Sequence, residues 1–245
     1  MRGAHYGSAG VVLLLVTSVP AGIAGTGGQN ESAAPAVATV SGRLTVLDKG
    51  NRLADDAAQA VVWLAAVGPP TVAPDPPAPR AVRIVMADKE FRPHQAVVRV
   101  GVPVAFPNTD PFNHNVFSRS EVGPFDLGRY GRGNEEFTTF SRPGLVRVYC
   151  NVHARMSAVV IVLDNPYYAQ PATDGHFGID RIPPGEYVLH AWHERAKEFP
   201  PRPVTVTAAG LADVRVELDA RDYEFVQHVN KYGQPYSQAR RGRRY

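Results

Sequence analysis

From Val40 onward, apolar residues recur at every second position: Val40, Gly42, Leu44 and Val46; Val61 and Trp63; Val82, Ile84 and Met86; Val98, Val100, Val102, Val104 and Phe106. Side chains of an extended chain point alternately to opposite faces, so this period predicts half-buried strands. The pattern continues at 146–150, 156–163, 187–192, 204–206 and 214–218, punctuated by the turn dipeptides Pro143-Gly144, Asp174-Gly175 and Pro184-Gly185. No stretch sustains a helical period. Many short strands at even spacing predict an all-β chain folded as sandwiches or barrels.

The pattern fails in places, and the failures divide the chain. Residues 25–37 (GTGGQNESAAPAV) are small and polar and predict a flexible linker. Residues 67–80 hold six prolines, which predict an extended, semi-rigid connector and a boundary. A second junction is expected at Asp164-Asn165-Pro166, where the strand ending at Leu163 must stop. Ahead of all this, residues 1–24 combine Arg2, the run VVLLLV (11–16) and small residues at Gly22 and Ala24, which predicts a secretory signal and export to the periplasm or beyond. The competing reading, an uncleaved membrane anchor, needs about 20 apolar residues, far more than that run supplies.

With 245 residues, 44% of them hydrophobic, the chain can bury a substantial core. Its 26 basic and 23 acidic residues nearly cancel, so charge selects no nucleic-acid partner. The imbalance is local: between 221 and 245, Arg221, Lys231, Arg240, Arg241, Arg243 and Arg244 face only Asp222 and Glu224. This basic C-terminal segment reads as a solvated tail, with docking on an anionic partner or lipid surface as the alternative.

Cysteine usage is more informative. Cys150 is the only cysteine, so an exported chain has no internal disulfide, and the thiol is an inert core residue, an intermolecular partner or a ligand. Its surroundings, VRVYCNVHARMSAVVIV, place Val146, Val148 and Cys150 on one strand face and return His153 and Met156 on the following loop. A further nitrogen is available from His114 in FPNTDPFNHNVFS. Singly, a buried Cys or Met is ordinary core, and Cys-x-x-His is common. Together they supply a thiolate, two imidazoles and a thioether, a set that suits copper cycling between two oxidation states, whereas zinc prefers four strong ligands.

On these residues, 81–164 resembles the cupredoxins: His114-Asn115-Val116 is similar to the first-histidine motif of plastocyanin, and Cys150-x-x-His153-x-x-Met156 to the short ligand loop of amicyanin. The resemblance covers about a third of the chain and implies a Greek-key sandwich holding one type 1 copper ion, with His114, Cys150, His153 and Met156 as ligands. It also implies that Asn115 ties the two ligand segments together and that electrons leave through His153. The implied partners are redox proteins such as a c-type cytochrome or a dehydrogenase. Pro111, Phe112, Val152 and Ala154 are candidates for an apolar docking patch, or else for turn and core positions.

Residues 172–194 (ATDGHFGIDRIPPGEYVLHAWHE) resemble the carboxypeptidase regulatory-like, transthyretin-like (prealbumin) sandwich, whose opening strands are expected at 41–64. The expected order is therefore one sandwich from 38–66 and 167–220, interrupted by the 81–164 copper domain; a tandem arrangement is the alternative. As a whole the chain resembles proteins called methylamine utilization proteins, a description that fixes no substrate. His190 and His193 read as structural, and His94, His176 and His228 have no clustered donors in the sequence. The expected role is electron carriage rather than catalysis: the His-x-His and His-Cys-His pairs of a trinuclear copper cluster are missing, as is a nucleophile elbow. A non-redox copper-storage or extracellular binding module is the competing reading.

Overall fold

The structure, a computed structural model, describes residues 37–68 and 80–236. The signal at 1–24, nearly all of the 25–37 linker, most of the proline-rich connector and the last nine tail residues lie outside the described residues. No helix among the described residues is long and apolar enough to cross a membrane. The described chain is all-β, and its strands form two β-sandwiches within one compact unit.

One sandwich draws its strands from both ends of the described sequence. β1 (Ala38–Asp48) is flanked by two later strands, β15 (His176–Ile182) antiparallel and β18 (Leu211–Asp219) parallel, with the short β2 (Arg52–Leu53) folding back on it. The facing sheet runs β14 (Tyr168–Ala169), β3 (Val61–Ala66), β16 (Gly185–Trp192), β17 (Arg202–Val206). Val40, Leu44 and Val46 from β1 meet Val62 and Leu64 from β3 and Leu189 from β16 in one core. Gly42 interrupts the apolar alternation of β1 because a Cβ there would stand 2.0 Å from the Val214 carbonyl oxygen of β18.

All strands of the other sandwich come from residues 82–163. Its larger sheet runs β10 (Phe125–Tyr130), β9 (His114–Ser118), β12 (Gly144–Cys150), β13 (Ser157–Leu163), β7 (Gln95–Arg99); the smaller runs β11 (Glu135–Thr139), β8 (Pro103–Pro107), β4 (Val82–Arg83). β5 (Val85–Ala87) and β6 (Glu90–Arg92) form a hairpin beside them. The alternation from Val98 to Phe106 is not one strand, as its period suggests, but the end of β7, a turn and the start of β8. Gly101 turns the chain there with φ +82°, a conformation that costs glycine little, and periodicity continues across the turn by coincidence of spacing.

The continuous apolar run of β13 has a direct cause. Ala158, Val160 and Val162 enter the core of their own sandwich, while Val159, Ile161 and Leu163 face outward onto Val61 and Trp63 of β3 and onto Trp192. Both faces are covered, so neither can be polar. The two tryptophans of the chain thus sit where the sandwiches meet, joined by Val97 and Leu145. At the rim, His94 Nε2 lies 2.6 Å from the Glu194 carboxylate of the other sandwich, and Arg147 lies 3.9 Å from the same group. His94 has no clustered donor nearby in sequence because Glu194 is a hundred residues away.

The hydrogen bond with Glu194 raises the His94 pKa even though burial opposes it, and the same bond lowers that of Glu194. The raised imidazole contributes stability that is lost as pH rises through its folded pKa; the depressed carboxyl contributes stability that is lost as pH falls through its own. His94→Gln should therefore lower stability most near pH ~5.5, between the ordinary carboxyl and imidazole ranges. Because both groups are partly solvated, the loss there is on the order of 0.5 kcal/mol, and it fades as pH rises through the raised imidazole pKa. Denaturant titrations of both proteins across that range check the profile.

Candidate metal centre

β9 and β12 are antiparallel neighbours, with Cys150 opposite Val116. The strand start that carries His114 and the strand end that carries Cys150 therefore meet at one edge of the sandwich. Val146, Val148 and Cys150 are fully buried, so the inward face of β12 terminates in the thiol. The chain then turns back through 151–156: Met156 N–H donates to the His153 carbonyl at 3.1 Å, and Cys150 N–H donates to the Met156 carbonyl at 3.0 Å. This closure swings the His153 ring over the buried edge.

Three donor atoms converge there: His114 Nδ1, Cys150 Sγ and His153 Nδ1. Sγ stands 3.6 Å from each nitrogen, and the nitrogens are 3.2 Å apart, so one point in their plane is about 2.0 Å from all three, close to the ~2.0–2.3 Å of bonds from nitrogen and sulfur to an ion such as zinc. His114 Nε2 lies 2.9 Å from Asp110 Oδ2, and a carboxylate only accepts, so Nε2 carries a proton and Nδ1, the nitrogen that faces the sulfur, is the one that gives its lone pair to an ion once its own proton leaves. A small cation satisfies such a triangle of lone pairs. The residues present fit a mononuclear thiolate–imidazole centre.

The surroundings favour a thiolate. Burial pushes the Cys150 thiol up, but hydrogen bonding with His114 and the backbone amides of Asn115, Val152 and His153 brings it below its ordinary value. Val152 N–H reaches Sγ at 3.4 Å. For His114, burial disfavours the charged ring, yet Cys150 and Asp110 outweigh it and raise the pKa. Burial and the neighbouring charges of His114 and Lys89 hold His153 below the usual imidazole value, which leaves it neutral and able to ligate at pH 7.

Met156 is buried in the core cluster that contains Cys150, and its backbone bonds to both Cys150 and His153. The Asn115 side chain turns away from the ligand loop and donates to Asp126 Oδ1 at 2.6 Å. Its backbone makes the link between the segments, because the Asn115 carbonyl accepts from Asn151 N–H at 2.9 Å. His153 is half-buried, Phe112 and Val152 are 44% and 41% exposed, and Lys89 Nζ sits 4.9 Å above the Phe112 ring. Pro111 is exposed as well, and Ala154 is half-buried.

Sequence reasoning missed Asp110. Its carboxylate accepts from the amides of Asp88 (2.7 Å) and Lys89 (2.9 Å) and from His114, so it fastens the β5–β6 turn to the ligand. The loop that presents it is held by Asn108, whose side chain accepts from Asp110 N–H and donates to the Phe112 and Tyr130 carbonyls. The signal was local: Asn-Thr-Asp-Pro is turn chemistry, and Asp110 lies four residues before His114. His190 stacks on Trp63 at 5.1 Å, and His193 is buried 3.5 Å from Asp56, both far in sequence from the donor triangle.

Fold and donor set together define a β-sandwich protein with a thiolate–imidazole donor group, among the described residues, that could hold a metal ion. No protein-family model matches the chain, and no curated protein does. Among solved structures it is similar to a reduced amicyanin mutant, at 24% identity over 34% of this chain and 82% of that one, with a TM-score of 0.32. It is also similar to a purple cupredoxin from Nitrosopumilus maritimus, at 21% identity over 34% of this chain and 99% of that one, TM-score 0.31. A copper-containing nitrite reductase from Thermus scotoductus shows 26% identity over 42% of this chain and 25% of its own, TM-score 0.34. At these scores the donor geometry, rather than the likeness, carries the functional reading.

Asp110→Asn keeps the shape of the loop while weakening the charge that orients His114. Competition titration with a chromophoric chelator should show copper affinity lowered ~10- to 100-fold, the range found when a ligand histidine loses its supporting carboxylate.

Proposed function

We propose that this protein is an exported, cupredoxin-like electron carrier with one type 1 copper ion held by His114, Cys150, His153 and Met156. The observation that carries the reading is the convergence of one thiolate and two imidazole nitrogens, each within a bond length of a common point, at the buried end of a β-sandwich. Copper in such a site supplies a one-electron couple, Cu(II)/Cu(I), tuned by a weak fourth ligand. Met156 supplies a buried thioether on the same loop for that position.

The residues of the chain do the rest. Asp110 fixes the tautomer and direction of His114, and the amides around Cys150 stabilise its thiolate without water. Strands on either side hold the donors at a spacing that neither oxidation state must disturb, so little rearrangement accompanies each electron. His153 is the exit because it alone of the converging donors is half exposed, and Phe112 and Val152 form an apolar contact surface around it. Lys89 at that surface favours a redox partner with acidic charge at its rim. The strand pairing supports reading residues 81–164 as an insertion within the regulatory-like sandwich of 38–66 and 167–220, which acts as a docking or tethering body. Storage of copper is disfavoured by the presence of a single cysteine.

Addition of Cu(II) to the metal-free protein should produce an intense visible thiolate-to-copper charge-transfer band and a reversible one-electron potential. Cys150→Ser should abolish the band. A colourless copper complex, or a band that survives in Cys150→Ser, would overturn the assignment.

A further inference from the structure

The sequence presents residues 221–245 as a solvated basic tail, but residues 223–236 pack on the metal-binding sandwich. They form almost no regular structure, so something other than a ladder must hold them. A turn built on the buried Asn230 does so: its Oδ1 accepts from the amides of Tyr232 (2.9 Å) and Gln234 (3.0 Å), and its own amide and carbonyl bond to Gln234 and Gly233. On one side, the His228 ring stacks on Tyr149 of β12 at 4.2 Å, and Tyr236 meets His228 edge-on. On the other side Phe225, Val226 and Tyr232 are left exposed.

The contacts of this segment end on the ligand backbone itself. Tyr236 O–H donates to the carbonyl oxygen of Cys150 at 2.6 Å, where β12 stops. Lys231 N–H donates to Asn151 Oδ1 at 2.9 Å, on the first residue of the ligand loop. Lys231 Nζ reaches Asp126 Oδ2 at 2.6 Å, and the other oxygen of Asp126 accepts from the side chain of Asn115, next to His114. Both ligand-bearing segments are thus gripped by one stretch of chain that follows β18 of the other sandwich. A segment serving only to cover apolar surface needs none of these bonds.

We infer that residues 223–236 form a strap that positions the Cys150–Met156 loop against the His114 strand, with Tyr236 and Lys231 as the positioning residues. The inference rests on the copper reading for its spectroscopic consequences and on the loop geometry alone for its mechanical ones. The strap also ties the orientation of the metal site to the integrity of the other sandwich, because the chain reaches it directly from β18. A donor on the Cys150 carbonyl withdraws charge from the ligand residue and favours the reduced metal, so its loss lowers the potential.

The test uses the full-length protein and two variants, Tyr236→Phe and Lys231→Met, with Phe225→Ser on the exposed side of the strap as control. In the copper form each positioning variant should lose metal to a chelator ~10-fold faster than the parent, with a shifted charge-transfer band and a lower midpoint potential. In the metal-free form, hydrogen exchange at the amides of Asn151 and Val152 should quicken in Tyr236→Phe, which removes the bond to the Cys150 carbonyl, while amides of β1 and β16 keep their protection. Phe225→Ser should match the parent in every measurement. If the parent shows no charge-transfer band the copper reading fails, and the strap is then judged on the metal-free exchange alone. Unchanged loop exchange in Tyr236→Phe overturns the strap whatever the metal does, and so do unchanged band, potential and release of both positioning variants in a copper-loaded protein.

Discussion

A sulfur atom that carries charge cannot be buried without compensation, and the metal-binding sandwich is organised around that constraint. Cys150 is fully buried, and its thiolate is met by His114, by backbone amides and by the His153 ring. None of these comes free. His114 presents Nδ1 to the sulfur only because Asp110 holds its other nitrogen, and Asp110 remains a buried carboxylate only because the Asp88 and Lys89 amides and His114 donate to it. Burial raises the Asp110 pKa, and those donors more than reverse the effect. The site is therefore a chain of compensated charges running from the β5–β6 turn to the end of β12.

The same edge is assembled from distant parts of the sequence. β9 provides His114, the β12–β13 loop provides Cys150 and His153, and the strap after β18 reaches the Cys150 carbonyl. Antiparallel pairing of β9 and β12 brings the first two together at their ends, where ladder hydrogen bonds run out and backbone groups are free to serve the ligands. Function collects at such ends because a rigid sheet positions them while leaving their polar groups available.

Packing between the sandwiches explains the least polar strand. β13 is covered on both sides, by its own core and by Val61, Trp63 and Trp192, and it leads straight out of the ligand loop. A dry, two-sided strand immediately after Met156 limits how far that loop can move. The rim pair His94 and Glu194 adds a polar registration between bodies that apolar contact alone leaves free to slide.

Much was already written in the chain. Period-two alternation and turn dipeptides determined the all-β class, because side-chain direction in a strand is a local property. The spacing Cys150-x-x-His153-x-x-Met156, together with the phase of Val146 and Val148, determined that the thiol points inward with an imidazole returning beside it. Local rules could not decide which strands pair, and so could not see that β7 and β8 are separate or that β3 lies beside β14 and β16. They also could not assign the partners of isolated polar residues. His94, Asp110, Lys231 and Tyr236 carry no distinguishing neighbours in sequence, and each acquires its role from a group that only tertiary packing places within hydrogen-bond reach. The ligand types were a matter of sequence; their distances, protonation and restraint follow from the long-range contacts that exclude water from the site.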